Sequence, residues 1–259
     1  MRVTVKNLLA SLCLLLAVTL AEAAPKPGFY ELRTFRLKTQ EQEKRLDTYL
    51  QNAFIPALHR AGVASVGVFK PIETAAGADR LVYVFIPYKK ADEPFKLEEK
   101  LMNDKGYTEA AQEYLNAPHD NPVYTRYESA LLEAFSGMPS YRVPALKSGP
   151  SERIYELRNY EAATDRLHLA KVHQFNNGEM QIFERLGFNA VFYGRVRMGN
   201  KLPSLMYITA FENKADRDAH WKAFSADPEW KKLNALPEYK NNYLRGEITL
   251  LHPAVYSEI

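Results

Sequence analysis

Tyr30-Glu31-Leu32-Arg33-Thr34-Phe35-Arg36 alternates apolar and polar side chains, the pattern of a half-buried strand. The same strand returns 125 residues later as Tyr155-Glu156-Leu157-Arg158-Asn159-Tyr160. Further along, Ala61-Gly62-Val63 returns as Leu186-Gly187-Phe188, again 125 residues apart. Leu81-Val82-Tyr83-Val84-Phe85 aligns with Leu205-Met206-Tyr207-Ile208-Thr209 at an offset of 124, and Ala130-Leu131-Leu132 with Thr249-Leu250-Leu251 at 119. Four matches in one order, with an offset that drifts down as short loop deletions would make it, describe two copies of a whole domain. A solenoid unit would be only about 20–50 residues long. Between the copies, 136–151 carries three prolines, two glycines and four serines, a linker composition. Domain one is therefore placed at 28–137, the linker at 138–151 and domain two at 152–259.

Each copy reads strand, helix, strand, strand, helix, strand. In the first copy these are 29–36, 40–61, 63–71, 80–87, 95–114 and 123–135. In the second they are 153–160, 164–186, 190–197, 205–211, a helix from 215, and 244–251. Leu46, Tyr49, Leu50, Ala53, Phe54, Ala57, Leu58 and Ala61 make one apolar stripe on the first helix, which Pro56 kinks and Gly62 ends. The order is the ferredoxin-like β-α-β-β-α-β, an α+β fold with both helices on one face of an antiparallel sheet. The other face needs a cover. Two tandem domains supply it by packing sheet to sheet, an α/β barrel inside one chain. Val82, Val84 and Ile86 alternate with Leu81, Tyr83 and Phe85, all apolar, as a strand buried on both faces requires.

The 259 residues carry 34 Lys plus Arg and 31 Asp plus Glu, a formal charge of +3, which makes no electrostatic case for nucleic acid. With 12% aromatic residues there is ample surface to bury, so disorder is excluded as the main state. At the start, Arg2 and Lys6 precede an uncharged, leucine-rich run and an Ala21-Glu22-Ala23 site. This is the order of a secretory signal peptide, 1–23, and the protein is expected to be secreted or periplasmic. The apolar run from 8 to 21 has 14 residues, short of the roughly 20 that cross a bilayer, so no membrane span is expected after cleavage. Cleavage removes Cys13, the only cysteine, so the mature chain forms no disulfide.

The two versions of the opening strand resemble that of the NIPSNAP family. So does the helix ending in glycine before a short strand, Phe183-Glu184-Arg185-Leu186-Gly187-Phe188. The stretch from His220-Trp221 through Phe224 to Asp227-Pro228-Glu229-Trp230 resembles the family's second-helix signature. Domain one has a degraded form, with Leu101, Asp104 and Tyr107 where Phe224, Asp227 and Trp230 stand. The resemblance implies the dimeric α/β-barrel superfamily, which includes cofactor-free monooxygenases, haem-handling proteins and proteins with no known reaction. It transfers no catalytic residue to this chain.

Glu31 and Arg33 point to one face of the first strand, Tyr30 and Leu32 to the other. If the helices cover the Tyr30 face, then Glu31, Arg33, Glu156 and Arg158 face the space between the sheets. There they act as ion pairs locking the halves, or as a polar patch in a ligand pocket. Tyr83, Tyr193 and Tyr207, on central strands, join them as pocket candidates through their hydroxyls. No metal site is expected. His168 and His173 are five apart, about 140° round a helix, and share no face. His59 reads as a solvated or interface histidine and His220 as a packing or capping one. Trp221, Phe224 and Trp230 read as core. Phosphate-loop, dinucleotide and nucleophile-elbow motifs are absent. The chain thus reads as an exported binding or interaction protein, without a cofactor. Its expected partners are a small apolar or aromatic ligand between the sheets, another protein, or a second copy of itself. The alternative is a cofactor-free monooxygenase or haem-linked enzyme, with haem as the cofactor.

Overall fold

Apolar side chains at every position of 81–86 leave that strand no solvent face, and the structure gives it none. Val82, Val84 and Ile86 lie under helices, while Tyr83 and Phe85 point the opposite way into a second core. The computed structural model describes residues 26–259. The expected signal segment, 1–23, lies outside them.

The first half runs β1 (Phe29–Leu37), α1 (Gln40–Tyr49), α2 (Ile55–Arg60), β2 (Gly67–Pro71), β3 (Arg80–Tyr88), α3 (Glu93–Met102), α4 (Lys105–Ala110), α5 (Gln112–Leu115) and β4 (Arg126–Ala134). The second runs β5 (Ile154–Glu161), α6 (Asp165–Gln174), α7 (Met180–Arg185), β6 (Asn189–Met198), β7 (Ser204–Phe211), α8 (Lys214–Ala226), α9 (Pro228–Asn234) and β8 (Arg245–Pro253). The strands close into one barrel in the order β1-β3-β2-β8-β5-β7-β6-β4, and all neighbours are antiparallel. The halves meet where β2 pairs with β8 and β4 with β6. Closure leaves neither half a free sheet edge.

The space between the sheets, where a small ligand is expected from sequence, is filled. Tyr30, Phe85 and Phe192 pack with ring centroids 4.8–5.4 Å apart, and Phe69 lies 4.8 Å from Tyr155. Leu32, Leu132, Leu157, Ile208 and Leu251 complete this interior. One mouth of the barrel keeps a recess of about 100 Å³, and Tyr83 lines it.

The face assumed for the first strand is reversed. Tyr30 and Leu32 point into the barrel, so Glu31, Arg33, Glu156 and Arg158 lie beneath the helices. The pairing also corrects the internal alignment. Arg33 faces Val84 and Arg158 faces Tyr207, so Val84 corresponds to Tyr207 and the local offset is 123, one less than the sequence match. A one-residue slip swaps faces. Tyr83 therefore points inward while Tyr207 and Tyr193 point to the helix layer.

The helix read as 40–61 is divided by a π turn, Leu50–Phe54, and a second π turn, Phe175–Glu179, divides its counterpart 125 residues on. The two breaks have different causes. Pro56, in the first turn of α2, cannot donate the usual backbone bond back to residue 52. Gln181 stands at the matching position, and there Gly178 makes the break with φ of +150°, a conformation open to glycine.

Candidate functional site

β5 sends Glu156, Arg158 and Tyr160 outward from alternate positions. Thr164 caps α6 by accepting from the Leu167 N–H, and α6 lays Lys171 over the sheet. Asn213 caps α8, which carries Arg217 and Trp221 one turn apart on one face. Asp227 ends α8 and caps α9, accepting from the Glu229 and Trp230 N–H groups at 3.0 Å each, while Arg185 holds it at 2.9 Å. The first half repeats this staple. There Asp104 accepts from the Tyr107 N–H at 3.1 Å and from Arg60 at 2.6 Å.

These elements surround a cavity of about 360 Å³ between the outer face of β5 and helices α6, α8 and α9. Its walls include Arg158, Lys171, Glu179, Arg217, Trp221 and Trp230. Fully buried Glu156 lies behind them. It accepts from Arg158 Nε and Arg217 Nε, each at 2.5 Å, and from Trp221 Nε1 at 2.9 Å. Arg158 lies 3.6 Å from the Trp221 ring centroid, a cation–π contact, and donates through Nη1 to Tyr160 at 2.8 Å. Arg217 Nη1 is taken by Asp218. Among the described residues, the Nη2 of each arginine makes no hydrogen bond. Lys171 donates to Gln174 at 2.9 Å and to Glu179 at 2.8 Å. Burial raises the Glu179 carboxyl above its ordinary range, and Lys171 offsets this only in part.

The matching place in the first half is closed. Glu31 accepts from Arg33 Nε at 2.7 Å, Ser129 Oγ at 2.7 Å and Tyr88 Oη at 2.9 Å. Burial alone would raise its carboxyl. The Arg33 charge and these hydrogen bonds outweigh burial and hold it below the ordinary range. Arg33 lies 5.1 Å from the Phe54 ring centroid. Tyr49 stacks on Tyr114 at 3.6 Å and shares a hydrogen bond with Tyr107, roofing the pair over.

Of the residues singled out in the sequence, Glu156 and Arg158 thus meet at the second-half cavity, with Tyr207 behind Tyr160 at 3.1 Å between hydroxyls. Tyr193 is buried in the same helix-side core, and Glu31 and Arg33 form the closed pair of the first half. Sequence reasoning missed Lys171, Glu179 and Arg217 and counted Trp221 and Trp230 as core. The tryptophans are only half-buried. The spacing of Arg217 and Trp221 on one turn is the signal that marks them. His220 packs against Phe188 and bonds the Asp216 carbonyl, while His59 bonds Glu258. Among the described residues no cluster of His, Cys, Asp or Glu is arranged to hold a metal. The lining of this cavity includes no histidine or cysteine, and its two tyrosines, Tyr160 and Tyr243, stack on each other at 5.2 Å between ring centroids.

Residues 155–258 match the NIPSNAP family model. The whole fold is similar to that of a candidate monooxygenase from Fusobacterium nucleatum, with TM-score 0.58 and 7% identity over 88% of this chain and 93% of that one. A second candidate monooxygenase, from Lactobacillus acidophilus, gives TM-score 0.55 and 11% identity over 88% and 94%. An uncharacterized NIPSNAP-like domain protein from Burkholderia xenovorans covers 42% of this chain with 90% of its own, at 19% identity and TM-score 0.37. None of the curated proteins compared is a match. The two long likenesses establish the fold alone. Residues 155–258 of this chain are thus similar to the NIPSNAP family, and they lie in one half of a closed eight-stranded α/β barrel both of whose halves one chain supplies.

Proposed function

We propose that the protein is an exported binding protein whose second-half cavity takes a small aromatic carboxylate. One observation carries this reading. A single buried carboxylate, Glu156, is shared by Arg158 and Arg217, and both keep a free nitrogen beside Trp221 and Trp230. Arg158, Lys171 and Arg217 face Glu156 and Glu179, and Asp218, which takes Arg217 Nη1 from outside the lining, is itself paired with Lys214, so the group keeps one cation in excess. A planar carboxylate matches paired guanidinium N–H groups, and the indole rings suit an aromatic body. The filled barrel interior moves the ligand from between the sheets to the helix side of one half. Export rests on the order of residues 1–23 and is tested by sequencing the N-terminus of the secreted protein.

The chain has two tryptophans, and both line the cavity. Titration with benzoate is expected to change tryptophan emission saturably, and Arg217→Ala to weaken the response at least tenfold. Emission that stays constant up to high millimolar benzoate, or that responds equally in Arg217→Ala, overturns the proposal.

A further inference from the structure

A larger cavity, about 480 Å³, opens in the first half, where β1 begins and β3 ends. This is well inside the roughly 300–1,000 Å³ of small-molecule sites. Val63, Pro87, Leu97 and Tyr141 make an apolar wall, and Lys26, Lys89 and Lys100 stand around it. None of the three lysines forms an ion pair among the described residues. Glu93, the one carboxylate in the lining, is occupied with the N–H groups of Lys89 and Lys90. Tyr30 also lines the cavity. It is 1% exposed, and its hydroxyl has no partner among the described residues. A buried hydroxyl left unpaired is unfavourable, and native interiors rarely keep one without a use.

The fold does not require this space. At the matching positions of the second half, Leu186 stands for Ala61 and Phe188 for Val63. Phe188 fills the gap against Phe211 and His220, at 5.4 Å from each ring. The three lysines are likewise particular to the first half. Ser151 corresponds to Lys26, Glu212 to Lys89 and Ala223 to Lys100. Smaller walls, three cations and an orphaned hydroxyl therefore coincide at one place in one half.

We infer that this cleft is a second binding site, for an elongated aromatic carboxylate with a hydrogen-bonding group at the end away from the acid. The acid meets the lysines, the ring lies against Leu97 and Tyr141, and the distal group pairs with Tyr30. The inference is independent of the second-half cavity.

The test is calorimetric titration of the full mature chain with 4-hydroxycinnamate and with cinnamate, which lacks the distal hydroxyl. Wild-type protein is expected to prefer 4-hydroxycinnamate at least tenfold. Tyr30→Phe is expected to bring it down to the affinity of cinnamate, leaving cinnamate unchanged. Read in the Arg217→Ala background, which silences the second-half cavity, Lys89→Glu with Lys100→Glu is expected to weaken both at least tenfold. Circular dichroism melts establish that each variant is folded, and the conservative Tyr30→Phe keeps the test available should the charge reversal fail to fold. Absence of binding, equal affinity for the two acids, or a loss confined to Arg217→Ala overturns the inference.

Discussion

Lowering the pH from 7.5 to 5 is expected to destabilise the protein by about 2 kcal/mol through His168 alone. His168 lies on α6, is 2% exposed, and has neither ring nitrogen paired among the described residues. Burial is the main cause that lowers its pKa from 6.5 to about 4. Arg195 and Arg197 add to the shift, and Asp165 opposes it. The folded value lies below the unfolded one, so the unfolded chain binds more protons between them. The stability is whole above the unfolded pKa and drains as pH falls toward the folded one. At pH 5 only about a thirtieth of unfolded chains keep the imidazole unprotonated, against about nine tenths of folded chains, and this ratio of roughly 30 gives the figure of about 2 kcal/mol. The assay is urea unfolding from pH 7.5 to 5, comparing wild type with His168→Gln. Carboxylates common to both proteins cancel in the difference, which should shift by about 2 kcal/mol across the range. Parallel curves, or an NMR titration of His168 with a midpoint near 6.5, would refute the reasoning.

Two further outcomes test the packing. Glu156→Gln leaves the mostly buried Arg158 and Arg217 without their shared charge and should cost about 3–5 kcal/mol in denaturant unfolding. A loss below about 1 kcal/mol would show that the carboxylate does not hold the pair. Gly178→Ala places a Cβ 2.8 Å from Leu233 Cδ2 at a φ of +150°, and should cost about 1–3 kcal/mol by thermal melting. Gly62→Ala, with positive φ but open space, should cost less, and equal losses would mean that Leu233 yields freely.

The duplication and barrel were legible because one strand, one glycine turn and one offset agreed before any element was assigned. The facing of the central strands was not. Leu81 to Ile86 is apolar throughout, so its sequence carries no phase, and offsets of 123 and 124 look equally good. Only pairing with β1, whose charges do alternate, fixes it. Lys171 and Glu179 were hidden for another reason. They lie eight apart on what reads as one regular helix, and the π turn ending at Glu179 helps bring the two together. The signal for that turn is Gly178, a weak one without its backbone angles.

Joining two domains in one chain also changes what each position is free to become. In a barrel made of two identical chains, corresponding positions must carry the same residue. Here the shared interior stays apolar from both sides, because Tyr30, Phe85, Tyr155 and Phe192 fill one common space. The helix layers answer only to their own half. Lys89 can therefore stand at a first-half cleft while its counterpart takes the opposite charge. That counterpart, Glu212, fastens the linker by accepting the N–H groups of Lys147 and Ser148, which draw its carboxyl down to about 2. The same freedom lets Tyr49 and Tyr114 seal the helix side of the first half while Arg217 and Trp221 hold the second half open. Chemistry in this fold is thus expected to differ between halves, and a substitution that disables one cavity should leave binding at the other intact.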